Sequence, residues 1–445
     1  MNAIGEDLNK GPASWKGPFV VVTSLFFMWG FITVLVDALI PRLKDVFELE
    51  LWQAGLVQFA WFGAYGLVSI PGGNLIERIG YKRGILVGLG LAGLGCLLFY
   101  PAAATRMYGI FLLALFVVAA GITILQVAAN PYISVLGDAK GASSRLNLAQ
   151  AFNSLGTTIA PLVAAGWLLS DKILNSAEQE SMSVDALEAY RISEASAVQG
   201  PFVVLALAFA GLAALIAMAR LPQILGSSAE GTYAQVLRNK RLLGGAIGIF
   251  VYVGAEVAIG SYMVNYGLEL GVAGEVLKHP VLRPLVDAAA WLKGGDAAGM
   301  DAKAAIGALL TFYWGGAMIG RFVGSGLMQK WRPGRILGIF ALVAAGLVLA
   351  SALTSGIAAL TLLLGVGLMN SVMFPTIFTL AIDDLGDMKP LGSGVLCTAI
   401  VGGAVIPPAM GAMAGSFGFS AALFLPMICY AYIAWYGRGS AVSAS

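Results

Sequence analysis

Residues 121–156 read GITILQVAANPYISVLGDAKGASSRLNLAQAFNSLG, and their reading decides the fold. Two apolar stretches of membrane-helix character carry Gln126, Asn130, Asn147, Gln150 and Asn153, with the turn Leu136-Gly137-Asp138-Ala139-Lys140 between them. An amide is costly in hydrocarbon unless it finds a partner. Amides on the inner faces of two consecutive helices therefore point to a polar cavity at membrane depth. Such a cavity suits an uncharged, polyhydroxylated ligand, because each amide offers donors and acceptors together.

Outward from this segment the whole chain is apolar. Of its 445 residues 59% are hydrophobic and 11% charged, against roughly 25% charged in soluble domains. The mean hydropathy is +0.85. These values exclude an ordinary soluble domain and predict an all-α polytopic membrane protein. The 58 glycines fit close packing of membrane helices. A span needs roughly 20 mainly apolar residues. Twelve segments qualify, near 17–40, 53–76, 84–104, 107–136, 146–170, 200–222, 242–270, 303–330, 335–355, 357–383, 391–416 and 419–437. The polar stretches 171–199 and 271–301 both follow odd-numbered spans and so share one side of the membrane.

The two halves of the chain echo each other. Leu136-Gly137-Asp138-Ala139-Lys140 returns as Leu385-Gly386-Asp387-Met388-Lys389, with Ser144 and Ser393 equally far beyond each Asp. Trp61-Phe62-Gly63 is echoed by Tyr313-Trp314-Gly315. Two six-span repeats are the signature of a transporter that works by alternating access around a site between its halves. The expected divisions are a tail at 1–16, a six-helix domain at 17–223, a linker at 224–241, a second six-helix domain at 242–438 and a tail at 439–445. Most of the 26 Lys and Arg residues, among them Arg78, Lys82, Arg83, Lys140, Arg238, Lys240, Arg241, Arg321 and Lys330, fall on the side of the N-terminus. By the positive-inside rule both termini are cytoplasmic.

Candidate functional residues follow from charge and polarity inside the spans. The stretch from Gly73 through Glu77, Arg78, Lys82 and Arg83 matches the G-x-x-x-[DE]-R-x-G-x-[KR]-[KR] loop of the major facilitator superfamily and reads as a charge latch, in which Glu77 and the basic residues pair in one conformation and release in the other. Asp37, near the outer end of span one, has apolar neighbours on both sides. Either it carries a coupling proton, or it caps a helix or pairs with a lysine at the outer interface. Glu256 is a second acid within a span, placed to accept bonds from sugar hydroxyls or to titrate as a second group. Asn265 and Asn370 would supply amides from the second half, and Trp314, Tyr65 and Phe374 rings for the apolar faces of a sugar.

Other chemistries lack their residues. Cys96, Cys397 and Cys429 are scattered through apolar stretches and read as small buried hydrophobes. The lone His279 supports neither a catalytic nor a metal site, and no cofactor is expected.

Several stretches carry a closer resemblance: Phe26-Phe27-Met28-Trp29-Gly30-Phe31, Asp37-Ala38-Leu39-Ile40-Pro41, Gln126-Val127-Ala128-Ala129-Asn130-Pro131-Tyr132, the run from Ser144 to Ser154, Tyr252-Val253-Gly254-Ala255-Glu256 and Phe374-Pro375-Thr376-Ile377-Phe378. With these the chain resembles the fucose–galactose–glucose:proton symporters of the major facilitator superfamily, especially their bacterial glucose/galactose branch. The resemblance implies that Asp37 takes part in proton coupling and that Gln150 and Asn153 line the sugar site. It also marks departures from the fucose branch: Gln126 stands where that branch has an acid, Glu256 where it has Gln, and Phe374 where it has Tyr. These differences argue for glucose or galactose over L-fucose. The resulting expectation is a monomeric, proton-coupled hexose importer of the bacterial inner membrane. Sodium coupling, or N-acetylglucosamine, fructose or L-fucose as substrate, are the alternatives, and a non-transporting sugar receptor stands further off. The loop at 271–303 looks like an insertion.

Overall fold

The turn between the two amide-bearing helices forms as its residues require. Gly137 adopts φ +94°, which glycine reaches without a Cβ clash. The Asp138 side chain accepts from the Lys140 N–H at 3.3 Å, and Arg145 closes the turn by donating to the carbonyls of Asp138 and Ser134 at 2.7 Å each.

The computed structural model describes residues 15–47, 51–105, 107–163, 181–222, 224, 231–292 and 302–442. Every regular element among them is helical. The principal helices are α1 (Lys16–Phe47), α2 (Leu51–Ile79), α3 (Tyr81–Thr105), α4 (Tyr108–Val135), α5 (Ala142–Val163), α6 (Val184–Met218), α7 (Lys240–Glu269), α8 (Ala302–Leu327) and α9 (Pro333–Leu353). Then come α10 in two pieces (Gly356–Asn370 and Met373–Ile382), α11 (Lys389–Thr398, continued through the 3-10 turn Ala399–Val401 into Gly402–Phe417) and α12 (Phe424–Val442). Nine stretches of the described chain are long and apolar enough to cross a membrane, one of them covering α10 and α11 together. α2 and α5 fall outside that set. α5 gives up apolarity to Ser143, Ser144, Asn147, Gln150, Asn153 and Ser154, most of which bond to other helices.

Contacts between helices repeat from half to half. α1 packs on α5 and α6, α3 on α4 and α6, and α2 on α4. In the same way α7 packs on α11 and α12, α9 on α10 and α12, and α8 on α10. The contacts that join the halves repeat too, α2 against α11 and α8 against α5. α4 lies deepest, with 72% of its most apolar window buried. It reaches that depth through glycine: a Cβ at Gly121 would fall on the backbone of Ala92 and Gly88 in α3.

The structure departs from the sequence reading of the spans at two places. Span ten, expected to be continuous, breaks at Ser371 and Val372. Pro375 has no N–H for the Ser371 carbonyl four residues earlier, so the helix opens there. The polar stretch before span six is helical from Val184, where Ser183 accepts the Ala186 N–H, because a helix does not stop where its apolar window does. In the expected insertion, Leu282–Leu292 is an amphipathic helix whose Leu282, Val286 and Ala290 are buried and which packs on α8. His279 caps it by accepting the N–H groups of Val281 and Leu282 at 3.3 Å.

The halves meet at the end of the bundle that carries the basic loops. Ser144 of α5 donates to the Ser325 carbonyl at 2.8 Å, and Ser325 returns a bond to the Ser144 carbonyl at 2.9 Å. Ser393, the repeat partner of Ser144, donates to the Val127 carbonyl at 2.9 Å. That carbonyl is free because Pro131, four residues on, has no N–H. Ser143 and Thr379 share a bond of 2.6 Å, and the Asn147 amide donates to Thr376 at 3.2 Å.

The linker joins this closure. Thr232 and Gln235 form a capping box around the single-turn helix Tyr233–Val236. The cap aims Tyr233 between α2 and α11, where its hydroxyl donates to the Ile70 carbonyl at 2.6 Å. A Cβ at Gly73 or at Gly394 would strike that hydroxyl, so the two glycines form the slot that it fills.

Four outcomes follow for the purified protein in detergent, read from thermal midpoints. Gly121→Ala lowers the midpoint, because backbone lies where the methyl would go. Gly90→Ala, on the open face of α3, leaves it unchanged or raises it, since Ala is about 1 kcal/mol better than Gly in a helix. Gly73→Ala also destabilises, and Tyr233→Ala costs less in that background than in the parent. Strictly additive effects in this double-mutant cycle would overturn the slot.

Candidate functional site

The first half supplies paired amides. Gln126 and Asn130 stand one turn apart on α4, and both are buried. Gln126 Nε2 donates to Tyr65 Oη of α2 at 2.7 Å, and Gln150 Nε2 of α5 donates to Asn130 Oδ1 at 3.4 Å. Asn130 Nδ2 is buried without a hydrogen-bond partner. Tyr65 is 4% exposed, so it positions Gln126 with its hydroxyl and offers no open ring face for stacking. Asn153 is spent on packing, because its amide donates at 3.0 Å to the Phe26 carbonyl of α1.

The second half supplies a carboxylate network. Tyr252 Oη donates to Glu256 Oε1 at 2.7 Å, one turn away on α7. Tyr313 Oη donates to the Glu256 carbonyl at 3.2 Å and accepts from Asn370 Nδ2 at 2.8 Å. Glu256, Tyr313 and Asn370 are thus tied together from α7, α8 and α10. Trp314 is 46% exposed and rests its ring edge over Gly260, one turn beyond Glu256. An indole open on one side can hold the apolar face of a polar ring. Phe374 is buried against Phe378, with ring centres 5.9 Å apart.

Between the two groups stands Arg321 of α8, which the sequence reading had placed among the basic residues at the inner ends of the helices. The structure puts it well inside α8, which runs on to Leu327. Its Nη1 donates to Ser154 Oγ and, at 3.5 Å, to the Gln150 carbonyl, both on α5. Its Nε donates at 3.2 Å to the Ser371 carbonyl, the group that Pro375 frees in α10. Glu256 lies within reach of its charge. The signal in the sequence was an arginine among apolar residues between Gly320 and Gly324.

Asn265 does not join the site. It is exposed and nine residues from Glu256, which at 3.6 residues per turn puts it on the opposite side of α7. Asp37 belongs to α1, but its side chain lies outside the described residues.

The expected charge latch is built differently. Glu77 accepts the N–H of Gly231 in the linker at 3.3 Å and pairs with no base of the other half among the described residues. Burial raises the Glu77 carboxyl above its ordinary range, while the Gly231 bond and the Arg78 charge pull it back. Lys82 caps α6 by donating to the carbonyls of Ala217 and Ala219 at 2.8 Å each. Arg78 and Arg83 are exposed. Gly73 makes the contact between halves, because the missing Cβ lets the Pro390 carbonyl and Tyr233 approach.

Neutral amides, one carboxylate, one guanidinium and an open indole can bind a polar neutral molecule, and they contain no nucleophile–base pair. Among the described residues no group of His, Cys, Asp and Glu could hold a metal ion.

Known proteins are similar to this chain in sequence and fold. The chain is 47% identical over 422 residues to a glucose/galactose transporter of Brucella abortus, covering 94% of this chain and 92% of that one. It is 33% identical over 446 residues to the L-fucose-proton symporter of Escherichia coli, covering 98% of this chain and 95% of the other. The crystal structure of a transporter, FucP, in the outward conformation superimposes with a TM-score of 0.84 at 32% identity, over 96% of this chain and 99% of that one. The sequence profile of the Major Facilitator Superfamily matches residues 19–396. This multi-pass membrane protein belongs to the major facilitator superfamily.

Proposed function

We propose that the protein imports a neutral hexose of the glucose or galactose type together with a proton, by alternating access. The observation that carries the reading is a pair of unlike groups inside the bundle, the amides Gln126, Asn130 and Gln150 in one half and Glu256 with Tyr252, Tyr313 and Asn370 in the other, which Arg321 joins through its bond to the Gln150 carbonyl. The names of the relatives, a glucose/galactose transporter and a fucose:proton symporter, support both the sugar and the proton. The protein acts as a monomer in the bacterial inner membrane, with both termini and the basic loops in the cytoplasm.

In the sealed state the sugar enters from the outer side. Its hydroxyls meet the amides of α4 and α5 and the carboxylate of α7, and its C–H face lies on Trp314. Asp37 binds the coupling proton. An ionised carboxylate resists passage through a low-dielectric site, and the protonated form passes with little cost. The loaded protein then releases the contacts at the basic end and opens inward.

The test is uptake of radiolabelled glucose into proteoliposomes under an inward proton gradient, with and without sodium. Unlabelled galactose, fructose, L-fucose and N-acetylglucosamine serve as competitors. A proton gradient alone drives uptake, and galactose competes best. Uptake that needs sodium, or that fructose, fucose or N-acetylglucosamine blocks better, would replace this reading with that ion or sugar. Asp37→Asn loses accumulation against a gradient and keeps part of the exchange of sugar for sugar, whereas accumulation equal to the parent would remove Asp37 from coupling. Glu256→Gln raises the half-saturating sugar concentration roughly tenfold or more, since a hydrogen bond to a charged group is worth about 1.5–3 kcal/mol.

A further inference from the structure

We propose that Arg321 holds the basic end shut by gripping α5, and that Glu256 takes the guanidinium over when that end opens. The inference rests on the alternating-access reading above. Three of the groups around Arg321 are neutral: Ser154 Oγ and the Gln150 carbonyl on α5, and the Ser371 carbonyl on α10. The fourth is the Glu256 carboxylate on α7, which acts on it through space. A cation inside a membrane protein needs an anionic or strongly polar partner in every conformation.

The partners divide cleanly between the halves. α7, α8 and α10 pack on one another within the second half, so Ser371 and Glu256 stay near Arg321 when the halves part. Ser154 and Gln150 leave with α5. Inward opening therefore strips the guanidinium of two bonds and leaves it Ser371 and the carboxylate. A planar five-donor fork is suited to that exchange, since it can grip a carbonyl with one N–H while another turns to a carboxylate. The two conformations thus differ in which half holds Arg321, and the preference of Arg321 for α5 over Glu256 biases the equilibrium between them.

The native thiols supply the test. Cys397 is a free, buried cysteine on α11, one turn beyond Ser393 and Gly394, both of which touch the first half. Cys96 is free and buried in α3, inside the first half, and serves as a control for unfolding. The full-length protein in detergent, without sugar or proton gradient, is treated with N-ethylmaleimide, and each cysteine is followed by peptide mass spectrometry. Arg321→Gln exposes Cys397, which reacts about tenfold faster than in the parent with Cys96 unchanged, as loss of bonds to a charged group predicts. Arg321→Lys, which keeps the charge without the fork, falls between. Glu256→Gln removes the competing partner and slows Cys397 below the parent rate.

Parental Cys397 rates in both Arg321→Gln and Glu256→Gln would overturn the proposal, and so would faster labelling in Glu256→Gln. If Cys96 also reacts faster in Arg321→Gln, that variant has unfolded, and the Arg321→Lys and Glu256→Gln rates decide. The labelling involves no sugar and no gradient. Its failure therefore leaves the uptake result standing, and failure of uptake leaves the labelling result standing.

Discussion

A backbone carbonyl without a donor is the constraint on which this structure turns. In hydrocarbon no water satisfies it, so each proline inside a membrane helix creates a debt that a neighbour must settle. Pro131 frees the carbonyl of Val127, and Ser393 of the other half binds it. Pro375 frees the carbonyl of Ser371, and Arg321 binds it. The first bond belongs to the closed end, and the second holds the one guanidinium that stands between the two binding groups. Both prolines thus turn a local defect in a helix into a contact between helices.

The closure made from such contacts is reversible by design of its chemistry. Apart from those of Arg321, the bonds among the described residues that cross between the halves at the basic end include serine, threonine, asparagine and tyrosine to neutral acceptors, each worth about 0.5–1.5 kcal/mol net. A conformational equilibrium that a small ligand can shift has to lie within a few kcal/mol of balance. Several weak neutral bonds meet that demand better than a buried ion pair, whose rupture leaves uncompensated charge. Glu77 illustrates the choice, since it binds the linker backbone at Gly231.

Much of this was legible in the sequence. The repeat placed Ser144 and Ser393 in equivalent positions, and both proved to join the halves. Gln126, Asn130, Gln150 and Glu256 were recognisable because polar groups in long apolar runs need partners. What the sequence hid was direction. Asn265 has the same chemistry as the amides of the site and lies on the far side of its helix, which residue type alone does not reveal. Arg321 was misread because the rule that counts positive charges near helix ends takes no account of how far a helix continues past them. The break in α10 was available from Pro375, but only by asking which carbonyl that proline leaves open. Asp37 was read from its apolar neighbours alone, and its side chain lies outside the described residues.

Charge accounting links the site to the kind of ligand proposed for it. Arg321 and Glu256 carry opposite charges on the packed helices α8 and α7, while Gln126, Asn130, Gln150 and Asn370 are neutral. A ligand with a net charge, such as a sugar phosphate or a sugar acid, would bring an uncompensated charge into a poorly solvated cavity, where its cost is high. A neutral hexose brings only hydroxyls, each of which donates and accepts, to amides that do the same. Glu256 stands on the same half as Arg321. Placed there, the carboxylate stays on the guanidinium's own half when the two halves part.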